Sequence, residues 1–179
     1  MASPTLDVLA GIAGFATKIV VGVGEVGVSN NPGALLTTYA LGSCLGVTIY
    51  DPITRAGGLL HAMLPDSSIN LVKARQQPGM FLDTGLPALF RAAYGLRADK
   101  HRVQICAAGG AQVMDQGAVF NIGQRNYNAF TAILREHSLR LQAEHVGGLV
   151  SRTMTLNLAT GEVRLKIGGI AGEVILFHG

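Results

Sequence analysis

Gly57-Gly58-Leu59-Leu60-His61-Ala62-Met63-Leu64, closed by Pro65, is the stretch that decides the fold. Successive side chains of a β-strand point to opposite faces, so Leu59, His61 and Met63 share one face and Leu60, Ala62 and Leu64 the other. Both faces are apolar, which predicts a central strand covered on both sides, with His61 at least partly buried.

Strand signals continue on the N-terminal side. Gly46 to Tyr50 is apolar and β-rich, and Asp51 and Pro52 open a turn closed by Arg55. Ala34 to Tyr39 reads as a strand behind the turn formers Asn30, Asn31, Pro32 and Gly33, and Lys18 to Val23 alternates with β-branched residues. On the C-terminal side, Asp66 with Ser67 or Ser68 caps a short helix through Gln76. Met80 to Tyr94 has helical spacing, with Pro87 predicting a kink or break. Val103 to Ala108 is a buried strand, and Gly109 and Gly110 make a tight turn. Asn126 to His137, with Tyr127, Phe130, Ile133 and Leu134 on one face, is the clearest amphipathic helix. Leu139 to Val146, Arg152 to Leu158 and Glu162 to Ile167 are strands, the last two joined by a hairpin at Ala159, Thr160 and Gly161. Strands outnumber helices and often follow one another directly, which predicts an α+β fold.

The 179 residues suit one domain over residues 18–179, preceded by an N-terminal arm over residues 1–17 with no clear period. Hydrophobic residues make up 49% and charged residues only 14%, with a mean hydropathy of +0.36, so the surface is sparsely charged and suited to protein partners. The net charge of +3 comes from scattered Lys and Arg rather than a basic run, which argues against nucleic acid. Val8 to Val28 is apolar, but Lys18, Glu25 and several glycines interrupt it, so membrane insertion is not expected. No positive n-region precedes that stretch, which makes the cytoplasm the expected compartment and the two cysteines free thiols.

Cys44 lies between two strands in Leu41-Gly42-Ser43-Cys44-Leu45-Gly46, and His61 follows seventeen residues later. A cysteine becomes a nucleophile when a nearby cation or oriented dipoles favour its thiolate. His61 is the natural partner, as proton donor to a leaving amine and then as general base for the resolving water. Of Thr37 and Thr38, strand alternation lets only one share the face of Cys44 and His61. Gly42 and Gly46 leave room for substrate, and main-chain N–H groups near Cys44, around Gly42 and Ser43, form a candidate oxyanion site. Spacing alone leaves a structural cysteine as the competing reading.

The wider pattern is more specific. Thr38-Tyr39-Ala40-Leu41-Gly42-Ser43-Cys44, then Tyr50-Asp51-Pro52, then Leu60-His61-Ala62-Met63-Leu64-Pro65-Asp66 resemble the signature of the CheD family of bacterial chemoreceptor glutamine deamidases. Val21-Gly22-Val23-Gly24-Glu25 and Asn31-Pro32-Gly33 resemble the family's opening. Gly109-Gly110-Ala111 with Met114 resembles its glycine turn, and Ile122-Gly123 with Arg125-Asn126 its Ile-Gly-x-Arg-Asn element. Gly147, Gly148, Arg152, Thr160 and Gly161 fit its C-terminal third.

The resemblance implies two packed β-sheets with flanking helices, like the catalytic domain of deamidating toxins. It assigns Cys44 as nucleophile, His61 as base and Thr38 as third member, with a thioester intermediate, no cofactor and no metal. It names methyl-accepting chemotaxis receptors as substrates and a CheC-type phosphatase as a further partner. Two positions depart from it: Ala108 stands where an aromatic residue is common, and His145 where an acid is. A non-catalytic adaptor that keeps the pocket is the alternative function, and a small-amide hydrolase the third.

Other residues read as structural. Cys106 lies in an apolar strand as an inert thiol. His101, His137, His145 and His178 lack ligand spacing. Gly22 and Gly24 lack the third glycine of a dinucleotide fingerprint. For Arg125 and Asn126, substrate binding and a capping or structural hydrogen bond are both open.

Overall fold

The computed structural model describes residues 16–112 and 121–179. Among them are ten strands: β1 (Thr17–Val20), β2 (Val26–Ser29), β3 (Ala34–Leu41), β4 (Leu45–Tyr50), β5 (Gly57–Ala62), β6 (Gln104–Gly109), β7 (Leu141–Val146), β8 (Arg152–Asn157), β9 (Val163–Ile167) and β10 (Val174–Phe177). Three α-helices accompany them, α1 (Leu71–Gln76), α2 (Leu82–Gly95) and α3 (Ile122–Glu136). The strands form two five-stranded sheets, ordered β1-β3-β8-β9-β10 and β2-β5-β4-β6-β7. Each sheet is antiparallel but for one parallel pair, β1 with β3 and β6 with β7.

The sheets pack face to face, and the helices cover one of them. Leu36 and Leu41 of β3 with Met154, Leu156 and Leu165 of the first sheet meet Leu59, Cys106 and Ala108 of the second. The opposite face of the second sheet, through Leu45, Val47, Leu60 and Ala62, packs on Leu82, Leu86 and Leu89 of α2 and on Phe130 of α3. The second sheet is thus covered on both faces, and every residue of β4 and β5 is buried, as expected for a central strand at Gly57 to Leu64. The first sheet is covered on one face only, so β8 and β9 alternate between buried and more exposed positions.

Several elements differ from the sequence reading for identifiable reasons. β5 ends at Ala62 because the Met63 and Leu64 N–H groups both turn to Met80 O, at 3.0 Å each. The stretch read as one strand from Lys18 stops at Val20. A turn follows through Gly24, whose φ is +75°, before β2 begins. The short helix divides at Asn70, whose side chain accepts from Lys73 N and caps α1, while Asp66 caps a separate 3-10 turn over Ser67–Ile69. α2 runs through Pro87 without a break. α3 starts at Ile122, four residues before the apolar period does, and β10 carries too little pattern to have been anticipated. The arm expected over residues 1–17 lies outside the described residues up to position 15, and Met114 of the glycine-turn resemblance also lies outside them.

Candidate active site

The chain must cross from the first sheet to the second between β3 and β4, and Cys44 sits on that crossing. Pairing of β3 with β8 slips between Thr38 and Leu41, where Ala40 adopts φ +56° and Gly42 N–H donates to Ala40 O at 2.9 Å. A non-glycine residue there marks a deliberate bend of the strand end. The segment that follows is clamped by the glycine turn: Gly110 N–H donates to Cys44 O and Ala111 N–H to Gly42 O, both at 2.8 Å. Gly109 has φ +112°, and a Cβ there would collide with Cys44 O, so the clamp requires glycine.

His61 is placed by the adjoining ladder. Gly46 pairs with His61 and Leu45 with Ala62, so Cys44 continues the register opposite Met63, diagonal to His61 and on its face. The turn between β1 and β2 clasps the His61 main chain, with Gly24 N–H donating to His61 O at 2.8 Å and His61 N–H to Glu25 O at 3.2 Å. Thr38 Oγ1 lies 2.7 Å from both Val21 O and His61 Nδ1. Two oxygens that close need a proton between them, so the single Thr38 hydroxyl proton goes to Val21 O. Oγ1 must then accept from Nδ1–H. This leaves Nε2 of the neutral ring with a free lone pair, and Nε2 is buried with no hydrogen-bond partner among the described residues.

Burial dominates the electrostatics. It pushes the half-buried Cys44 thiol up from its ordinary value, offset in part by the cysteine's own N–H, and pushes the 1%-exposed His61 down. Burial therefore favours the neutral thiol and the neutral imidazole. A neutral imidazole with a free Nε2 can accept a proton from a thiol or a water.

The structure brings Thr38, His61 and Cys44 into adjoining segments. Thr37 faces away, with its hydroxyl 3.1 Å from that of Thr155. Gly42 N–H is committed to Ala40 O, whereas the Ser43 and Cys44 N–H groups donate to no other residue's main-chain carbonyl among the described residues. Of the two readings left open for Asn126, the structural hydrogen bond is the one that forms. Asn126 is wholly buried, and its Nδ2 donates to Ser43 O at 3.0 Å and Met63 O at 2.9 Å. Its neighbour Arg125 is exposed. The signal for Asn126 was an amide on the same helical face as Phe130, where an apolar residue belongs. Cys106 is buried, and burial pushes its thiol up to about 12, so it is inert.

Comparison with known proteins places the chain in a family. The family described as CheD chemotactic sensory transduction matches residues 63–167, beginning just after the three candidate residues. The probable chemoreceptor glutamine deamidase CheD 1 of Syntrophus aciditrophicus is 44% identical over 151 residues, covering 84% of this chain and 94% of the relative. That of Solibacter usitatus is 46% identical over 158 residues, covering 88% and 94%. That of Pyrococcus horikoshii is 39% identical over 151 residues, covering 83% and 91%. A family match over more than half the chain, with relatives aligned along nearly their whole length, means that this chain belongs to the CheD family.

Proposed function

We propose that this chain is a cysteine-dependent protein-glutamine deamidase that converts glutamine side chains of chemoreceptors to glutamate and ammonia. The observation that carries the reading is the unpartnered, buried Nε2 of His61, kept free of its proton by the Thr38 contact beside the Cys44 segment. Nε2 takes the thiol proton as Cys44 Sγ bonds to the carboxamide carbon, and the Ser43 and Cys44 N–H groups face the developing oxyanion. The imidazolium returns that proton to the departing nitrogen, which leaves as ammonia, and a thioester remains. Water then attacks the thioester with Nε2 as base, and the proton passes back to sulfur as glutamate is released.

Exposed Val20, Val23, Tyr39 and Met63 belong to the segments that carry or clasp Thr38 and His61, an apolar setting suited to a protein substrate. In the same reading the protein works in the cytoplasm and also binds a CheC-type phosphatase.

The test is incubation with cytoplasmic fragments of chemoreceptors and peptide mapping of Gln-to-Glu conversion by mass spectrometry. Conversion by the wild type and none by Cys44→Ala is expected. Conversion that survives Cys44→Ala sinks the mechanism, and a lack of conversion in every receptor fragment favours an adaptor.

A further inference from the structure

We infer that Asn126 is a positioning residue that splices the open end of the β4–β5 ladder and thereby sets the separation of Cys44 Sγ from His61 Nε2. The inference rests on the reading of Cys44 and His61 as nucleophile and base. The last ladder pair is Leu45 with Ala62, and the next would be Cys44 with Met63. A Cys44–Met63 pair exchanges no main-chain hydrogen bonds in this register, and the rung beyond it, Ser43 with Leu64, does not form because the Leu64 N–H turns away to Met80 O. The two strand ends are joined instead by one side chain. Asn126 Nδ2 has two hydrogens and gives one to Ser43 O and the other to Met63 O, at 3.0 and 2.9 Å. Both partners are carbonyl oxygens, so only the amino end of the amide can face them.

The arrangement has a cost that points to its purpose. Asn126 is wholly buried and its Oδ1 has no partner among the described residues. A buried amide with an idle oxygen is unfavourable, and an apolar residue on this helical face would avoid it. The pair of donors is what the position needs. The helix is also brought close enough to deliver them. A Cβ at Gly123 would collide with the Gly110 carbonyl, so the start of α3 rests directly on the glycine turn that clamps Cys44. Ser43 precedes the nucleophile and Met63 lies two residues beyond the base, so the splice fixes the loop of one against the strand of the other. Proton transfer needs that distance held to a fraction of an ångström.

The test is the rate of Cys44 alkylation by iodoacetamide in wild type, Asn126→Ala, Asn126→Asp and His61→Ala, with Cys106 too buried to compete. At about pH 7, where the thiol needs His61, both Asn126 variants should react roughly tenfold more slowly than wild type and match His61→Ala. At high pH, where hydroxide forms the thiolate without His61, they should lie within about twofold of wild type. With receptor fragments, kcat should fall by roughly tenfold while KM stays within about twofold. Unchanged alkylation near neutral pH in a folded variant overturns the inference. So does faster alkylation at both pH values, the mark of a merely loosened fold, or failure of both variants to fold. If the wild type deamidates no receptor while the alkylation contrast holds, the deamidase reading fails and the positioning role stands.

Discussion

His61 Nδ1 and Thr38 Oγ1 lie 2.7 Å apart although they belong to different sheets, so one buried hydrogen bond joins the two layers and fixes the imidazole tautomer. Thr38→Val keeps the shape but leaves Nδ1–H and Val21 O without their partner. It should cost about 1–3 kcal/mol of stability and lower kcat by roughly a hundredfold through loss of the oriented base. Thr38→Ser restores the hydroxyl and should recover most of both. Equal kcat for the Ser and Val variants would show that the threonine only packs.

The burial of His61 has a consequence for pH. Burial holds the folded His61 pKa below its ordinary 6.5, so the unfolded chain binds more protons between those two values. The stability that His61 contributes is fully present above about pH 6.5 and is lost as pH falls towards the folded pKa. Deamidation should have its acid limb in the same window, because Nε2 must be unprotonated to accept the thiol proton. A kcat/KM profile whose acid limb lies above the ordinary histidine value would contradict this. In His61→Asn, the matching component of the stability profile from urea denaturation should disappear.

Much of this site was legible in the sequence because its parts follow local rules. Two-faced apolarity marked β5 as central, and alternation allowed only one of Thr37 and Thr38 to face His61. The glycine pair before Ala111 announced a turn. What stayed hidden depends on the packing of distant segments. The ionisation of Cys44 and His61 is set by burial, which no spacing reports. The role of Asn126 requires knowing that α3 starts four residues before its apolar period, because Gly123 fits against Gly110 O. The place of Gly42 in the oxyanion site changed for a similar reason: its N–H is consumed by the Ala40 bend, and a strand reading carries no sign of a positive φ at alanine.

Gly109→Ala tests the clamp on Cys44. The new methyl group meets Cys44 O at a φ of +112°, so the backbone must shift or the Cys44 segment must move. A loss of about 1–3 kcal/mol is expected from strain alone, together with a larger relative loss of deamidation. Gly147→Ala is the control. It carries φ +75° but faces open space, so it should cost only about 1–2 kcal/mol and leave kcat unchanged. Similar activity losses in the two variants would mean that the glycine turn acts through global stability and not through Cys44.

Arg152 and His145 provide the last test. Arg152 is 3% exposed and pairs with no carboxylate among the described residues. Its guanidinium donates to His145 Nδ1 at 2.9 Å, Val150 O at 2.8 Å and Gly147 O at 2.7 Å. To accept, Nδ1 must be unprotonated. Burial first, and then the Arg152 charge, hold His145 below its ordinary pKa. Its contribution to stability is therefore complete above about pH 6.5 and is lost on acidification below that value. His145→Asp places an oxygen the same number of bonds from the backbone as Nδ1 and gives the buried cation a counter-charge. The substitution should stabilise the protein by roughly 1–2 kcal/mol near neutral pH, a rise of a few degrees in Tm. The gain should widen as the pH is lowered to about 5, because protonation takes the acceptor from the histidine while pairing with arginine favours the charged form of the new carboxylate. A Tm difference that is the same at both pH values, or a destabilised Asp variant, would show that the His145–Arg152 contact does not respond to protonation.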